Sequence, residues 1–248
     1  MADTLPSAGA ASAAPPMTNI AGTAATSSSL EPVVVDILLR SRNTLLDILD
    51  ERGYDVSKYR YIAPDQILTL AEGHPRALDI IVPKKAADSP APCERAVVVY
   101  QIQDRIRTKM GTFAEKLYDK APDAMGSNLV KPTDDVIVIL NEPYNDIFDK
   151  TSLQLWQTQR SRLVFFHIKQ VVVHPGRHAL VPPHRKLTVE EATEILERYH
   201  VSAKTQLPLI KHHDIQSRVL GLVPGDIVEV LRPSPTSGIL KVYRICAS

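Results

Sequence analysis

The sequence predicts an α+β protein, an N-terminal α/β domain followed by a small α+β domain at the C-terminus. Three observations carry this. Apolar residues at helical spacing open both parts, as Val34, Ile37, Leu38, Leu45, Ile48 and Leu49 do in the first. β-Branched runs follow, Val97-Val98-Val99-Tyr100 and Val136-Ile137-Val138-Ile139-Leu140. Turn chemistry at His174-Pro175-Gly176 then closes the first part. The expected organisation is a tail over residues 1–30, a first domain over 31–174 and a second over 175–248.

The tail is Ala, Ser, Thr, Pro and Gly almost throughout. Such a segment cannot bury enough apolar surface to offset its ordering entropy, so a disordered spacer is expected. Order is expected from about Pro32. Gly53 after Asp50-Glu51-Arg52 suits a helix C-cap. Pro64 opens a second, shorter helix through Ile67, Leu68 and Leu70. Strands are expected over Ala77–Val82 and Ala96–Ile102, with a loop from Lys84 to Pro92, and a helix over Lys109–Tyr118. The run Val136–Leu140, bounded by Asp135 and Asn141, reads as a strand buried on both faces. Val171-Val172-Val173 reads as strand-like.

In the second domain Thr188-Val189-Glu190-Glu191 is a capping box. Val189, Ala192, Ile195, Leu196 and Tyr199 then form the apolar stripe of a helix. Asp214 caps a short helix that stops at Gly221. Val223-Pro224-Gly225-Asp226 is a turn, Ile227–Leu231 and Ile239–Ile245 are strands, and Arg232–Gly238 links them, stiffened by Pro233 and Pro235.

Composition narrows the function classes. In 248 residues, Lys and Arg number 29 against 28 for Asp and Glu. That near-neutral balance lacks the basic excess of a stand-alone nucleic-acid binder. Two distant cysteines, Cys93 and Cys246, suit a reducing compartment. No apolar run approaches the ~20 residues of a membrane span. The N-terminus lacks the basic start and apolar block of a signal peptide, and its first basic residue is Arg40. Cytosol or nucleus is expected.

Reaction chemistry is hard to read here. Neither G-x-x-x-x-G-K-[ST], G-x-G-x-x-G nor G-x-S-x-G occurs. Histidines cluster at 174, 178, 184, 200, 212 and 213, but Pro175, Pro182 and Pro183 break the spacing a zinc site needs, so structural or surface roles are expected. A strand starting at Asp79 followed by a second strand is similar to restriction-type nucleases. Their acidic-x-Lys pattern is absent from Tyr100-Gln101-Ile102-Gln103, which leaves Asp79 as a strand-end cap or solvated residue. Arg105, Arg107 and Lys109, diluted by Asp104, read as a solvated face. No catalytic residue, metal, cofactor or small-molecule substrate is assigned.

Ordered blocks across the last third carry a resemblance. They are His178-Ala179-Leu180-Val181-Pro182-Pro183-His184, Leu187-Thr188-Val189-Glu190-Glu191, Arg198-Tyr199 and Gln206-Leu207-Pro208. Asp214, Gly221, Pro224-Gly225-Asp226, Arg232-Pro233-Ser234 and Val242-Tyr243-Arg244 follow in order. Together they resemble the conserved domain of the H subunit of archaeal RNA polymerase and the fifth-largest common subunit of the eukaryotic nuclear enzymes. Leu46–Tyr54, ending in Arg52-Gly53-Tyr54, resembles the first helix of the eukaryotic jaw domain, which archaeal versions lack.

The resemblance implies a non-catalytic subunit whose C-terminal domain docks on the largest polymerase subunit and whose jaw-like domain lies beside downstream DNA, touching it weakly. It implies nuclear location, nucleolar if the chain is dedicated to the ribosomal RNA polymerase. The docking residues it implies are His178, Val181, Pro182, His184, Gln206, Leu207, Pro208, Arg218, Arg232, Pro233, Ser234, Gly238, Tyr243 and Arg244. DNA-proximal residues are not assigned. Departures such as His174-Pro175-Gly176, Ile215 and Val219 suit a paralogue dedicated to one polymerase. The alternatives are a free-standing transcription regulator built on the same domain and a degenerate nuclease-like domain.

Overall fold

The computed structural model describes residues 32–73, 76–87, 89–103, 105–118, 130–236 and 238–247. The expectation for the tail lies outside the described residues, as do Asp104 and Ser237.

The first sheet is built from β1 (Ile80–Pro83), β2 (Arg95–Gln101), β3 (Asp135–Leu140) and β4 (Arg162–His167), in that spatial order. β1 runs antiparallel to β2, and β2, β3 and β4 are mutually parallel. Parallel neighbours need crossovers, and the connections carry α3 (Met110–Tyr118) and α4 (Asp146–Gln159). α1 (Pro32–Glu51) and α2 (Pro64–Gly73) cover the opposite face.

Alternation along the strands feeds two cores. Val98, Tyr100, Ile137, Ile139 and Phe166 pack with Leu45, Ile48 and Leu49 of α1. Val97, Val99, Val136, Val138, Leu140 and Phe165 pack with Phe113, Leu117 and Phe148. Every residue of β3 is therefore buried, as its unbroken apolar run predicts.

Around the first sheet, four elements differ from expectation. β1 starts at Ile80, not Ala77. Asp79 turns inward there, accepting the Tyr100 backbone N–H at 3.0 Å and pairing with Arg76 at 2.9 Å, so it caps the strand and is not solvated. Val171-Val172-Val173 is not a strand. A 3₁₀ turn, Ile168–Val171, is fixed by a reciprocal cap in which His167 Nδ1 accepts from the Lys169 N–H and Gln170 Oε1 accepts from the His167 N–H. The edge strand β4 and helix α4 had no counterpart in the sequence reading. α4 has a single fully buried side chain, Phe148, so its apolar period is faint.

The second sheet has the order β5 (His184–Lys186), β7 (Ile227–Ser234), β8 (Gly238–Ala247), β6 (Leu209–Lys211). α5 (Val189–Arg198) covers one face through Ala192 and Ile195, packed with Leu187, Ile227 and Tyr243. On the other face Leu222 and Leu220, at the end of α6 (Ile215–Leu220), join Val228, Val230, Val242, Ile210 and Cys246. β5 and β6, three residues each, are too short to show a period in sequence.

The expected linker Arg232–Gly238 is instead mostly strand, because Arg232, Pro233 and Ser234 pair with Leu240, Ile239 and Gly238. The stripe on α5 is also narrower than it reads, since Val189 and Tyr199 are 79% and 55% exposed.

The cap of α5 forms as expected. Thr188 Oγ1 accepts the Glu191 N–H at 3.3 Å, and Glu191 Oε2 accepts the Thr188 N–H at 2.9 Å. That backbone hydrogen bond, with Arg185 second, draws the Glu191 carboxyl below its ordinary pKa. Thr188→Ala is expected to cost about 1 kcal/mol. An unchanged urea midpoint in the full chain would contradict the cap's contribution.

Candidate docking surface and the seam behind it

The two sheets meet along a polar seam. Arg52, just past α1, extends its guanidinium into it. Nη1 donates to Asp135 Oδ2 at 2.9 Å, Nε donates to the Val219 carbonyl at 2.9 Å, and Nη2 donates to the Arg218 carbonyl. The Arg218 carbonyl also accepts the Gly221 N–H of the helix cap at 3.2 Å, and a cation suits the negative end of α6 where such carbonyls gather. Tyr54 OH also donates to Asp135 Oδ2, at 3.2 Å. Burial, then the Asp135 charge, raises the Tyr54 phenol well above its ordinary pKa.

The seam is reciprocal. Arg218 of α6 donates from Nη1 to the Phe165 carbonyl of β4 at 2.8 Å, and its guanidinium lies over the Tyr144 and Phe166 rings. Arg162 of β4 donates to the Gly221 carbonyl at 3.1 Å. Gly221 is required twice: its φ is +63°, and a Cβ there would sit 3.1 Å from the Arg52 guanidinium carbon. The connecting segment is tied to α1 by Arg177, which reaches Asp47 and Glu51, each at 2.8 Å, and by the buried His174, 3.3 Å from Glu51.

On this base stand the residues implied for docking. Arg232, Pro233 and Gly238 are exposed and Ser234 half-buried at the distal end of the β7–β8 hairpin. On the β6 side, Gln206 and Pro208 are exposed, while Leu207 packs against the α5 cluster. Arg244 Nη1 donates to the Leu209 carbonyl at 3.1 Å. At the opposite edge, His178 is exposed, Val181 and Pro182 are half-buried, and His184 lies in β5 with Nδ1 2.6 Å from the Pro182 carbonyl. The set thus divides between two edges of one sheet and the hairpin between them.

Two members belong elsewhere. Arg218 is buried in the seam and is not available to a partner. Its spacing on a short helix did not reveal that the helix faces the first sheet. Tyr243 is also buried, with its ring beside Tyr199 and its hydroxyl donating to Glu229 Oε2 at 3.2 Å. Sequence reasoning passed over the exposed apolar residues Leu180, Leu209, Ile239 and Leu240. Ile239-Leu240 directly after Gly238 was the signal, and it was absorbed into a strand assignment.

Elsewhere, Arg105, Arg107 and Lys109 are exposed, and their turn is anchored by Glu142, which accepts the Ile106 and Arg107 N–H groups at 2.9 and 3.1 Å. Burial pushes the Cys93 thiol up to about 11 and the Cys246 thiol up to about 12, so both are protonated near neutrality. Among the described residues, no group of three or more His, Cys, Asp or Glu is placed to hold a metal ion. Nor is any helix there long and apolar enough to cross a membrane.

A braced body presenting a sheet ribbon with apolar and cationic side chains belongs to the class of proteins that bind through surfaces. The comparisons make this specific. A family model described as RNA polymerase Rpb5, C-terminal domain, matches residues 173–246. Subunit Rpo5 of the DNA-directed RNA polymerase of Pyrococcus abyssi is 46% identical over 69 residues, covering 28% of this chain and 83% of its own length. Its counterpart from Thermococcus kodakarensis is 46% identical over 68 residues, covering 27% of this chain and 82% of its own. Rpabc1 of Dictyostelium discoideum, a subunit of DNA-directed RNA polymerases I, II and III, is 27% identical over 212 residues. That alignment covers 86% of this chain and 98% of the relative. The chain belongs to the Rpb5/Rpo5 family of RNA polymerase subunits.

The seam yields two predictions. Arg52→Met strands the Asp135 carboxylate, which is 2% exposed, and is expected to cost about 3–5 kcal/mol in urea denaturation. Arg52→Lys should recover little, because an ammonium lacks the planar fork that serves three acceptors. His212, half-buried beside the seam, has its pKa lowered chiefly by burial. The unfolded imidazole therefore binds more protons than the folded one near and below its ordinary pKa of ~6.5. Stability should fall as pH drops through that range, and His212→Gln should flatten the decline in a urea series at several pH values.

Proposed function

We propose that the chain is a non-catalytic structural subunit of a nuclear DNA-directed RNA polymerase. In this reading residues 175–248 form an assembly domain that docks on the largest subunit. Residues 31–174 form a jaw-like domain placed beside downstream DNA, which it touches weakly. Family membership carries the reading, together with one observation. The alignment with Rpabc1 spans nearly the whole of that subunit and most of this chain, whereas the archaeal relatives match a stretch the size of the second sheet's unit. A nuclear location follows from the eukaryotic relative, and a nucleolar one would follow from dedication to the ribosomal RNA polymerase.

The proposed docking set is the sequence-derived one without the buried Arg218 and Tyr243: His178, Val181, Pro182, His184, Gln206, Leu207, Pro208, Arg232, Pro233, Ser234, Gly238 and Arg244. Ile239 and Leu240 join it, at 71% and 50% exposure. Arg232 supplies a planar fork for a partner carboxylate or backbone carbonyl on a strand whose geometry the β7–β8 pairing holds.

Affinity purification of the tagged chain with mass spectrometry tests the reading and identifies the polymerase. Recovery of a folded chain free of large polymerase subunits would overturn it. Arg232→Glu should leave circular dichroism unchanged and weaken co-purification with the largest subunit, and normal assembly of the folded variant would remove Arg232 from the interface. Duplex DNA should bind the free chain more weakly than about 1 μM at physiological salt, since the formal charge is only +1. A tighter complex would reveal a basic surface unaccounted for here.

A further inference from the structure

The β7–β8 hairpin outruns the strands on either side of it. β5 pairs only with Val228–Val230 of β7, and β6 only with Ile245–Ala247 of β8. β7 and β8 pair with each other from Ile227↔Ile245 out to Ser234↔Gly238.

Register decides which backbone groups the outer half presents. The Leu231 N–H points away from β8 and donates to the Pro183 carbonyl at 3.0 Å. The Ile245 N–H points away from β7 and donates to the Pro208 carbonyl at 2.9 Å. Antiparallel pairing alternates inward and outward residues. Ile239, Lys241 and Tyr243 therefore aim their N–H and C=O groups at the open side of β8.

The two edges are not equivalent. Leu231 has its N–H engaged, and the next outward residue on β7 is Pro233, which has none. Proline, edge lysines and inward charges are the usual protection of an exposed edge. β8 has one such guard, Lys241, but no proline, and sets Ile239 and Leu240, both exposed, on its two faces. The open edge ends at Pro208, just before β6, where the Gln206-Leu207-Pro208 segment leaves the line of the sheet.

Charge adds a preference. From Leu231 to Ala247 the chain has no Asp or Glu, while Arg232, Lys241 and Arg244 are cationic. Lys241 lies 3.4 Å from Glu229 of β7, a pairing that an incoming carboxylate would have to share, whereas Arg244 has no carboxylate partner among the described residues. A strand laid along β8 would set alternate side chains beside Ile239 and Tyr243, or Leu240 and Val242, and an acidic one beside Lys241 or Arg244.

We propose that an extended segment of a second polymerase subunit, apolar and acidic in its side chains, adds as a strand to β8 across Ile239–Tyr243. Main-chain hydrogen bonds supply attachment, and the flanking side chains select the sequence. This rests on the docking reading above and specifies how the docking is made.

Hydrogen exchange at single-residue resolution, on the full chain free and within its assembled polymerase, tests it. The Ile239 and Lys241 amides should slow by about tenfold or more on assembly. Those of Leu240 and Val242, already directed at β7, should change less. An assembled chain whose Ile239 and Lys241 amides exchange as in the free chain overturns strand addition and leaves docking intact. A folded chain that never enters a polymerase overturns the docking reading and this inference with it. Lys241→Pro removes one outward donor and no β7–β8 hydrogen bond, so its capture should fall about tenfold against that of Lys241→Gln. Equal capture of a folded Lys241→Pro chain overturns the proposal. Should that variant not fold, the exchange measurement still decides.

Discussion

The guanidinium of Arg52 holds the two sheets in one fixed relation. It brings together a carboxylate from the start of β3 and the Arg218 and Val219 backbone carbonyls near the end of α6, groups far apart along the chain. Arg52 and Asp135 are almost wholly withdrawn from water, with side chains 4% and 2% exposed. A buried charge is tolerated only when its partners are complete, and here each member completes the other. The fork geometry matters more than the charge alone, because three acceptors in two directions must be met at once.

Arg218 mirrors this arrangement from the other side, reaching a β4 carbonyl and two aromatic faces. The second sheet gains from such contacts. Its cores comprise short clusters around Ile195 and Ile227 on one face and Val228 and Val230 on the other. A unit of roughly seventy residues buries a smaller fraction of its surface than a larger domain does. Bracing against the larger α/β body lets the small unit hold a long hairpin out from its edge without enclosing it.

That hairpin gains its binding character from asymmetry. One edge ends in a proline and an engaged amide, and the other runs open beside apolar and cationic side chains. The contrast depends on register. A slip of one residue would turn Lys241 and Ile239 toward β7 and expose different groups. The pairing of Pro233 with Ile239 resists that slip, because Pro233 has no N–H to donate and fits where no β7–β8 hydrogen bond is required.

Much of the fold was legible in the residues. The Val136–Leu140 run, the Thr188–Glu191 cap and the Asp214-to-Gly221 helix are local patterns whose physics is complete within a few residues, and the structure contains each of them. The blocks from His178 to Arg244 carried the family in the same way, as order along a chain. Other features depend on partners distant in sequence. β5 and β6 exist because β7 and β8 offer them edges, α4 is held chiefly through Phe148, and Val171 enters the first core from a turn rather than a strand. Arg218 looked like a surface cation because its partners lie in residues 144–170. By itself the sequence determined the secondary structure that rests on period, caps and turns, and the family. Tertiary structure alone decided which arginines became seam and which stayed surface, and which edge of the hairpin was left open, since burial and register are properties of segments brought together across the chain.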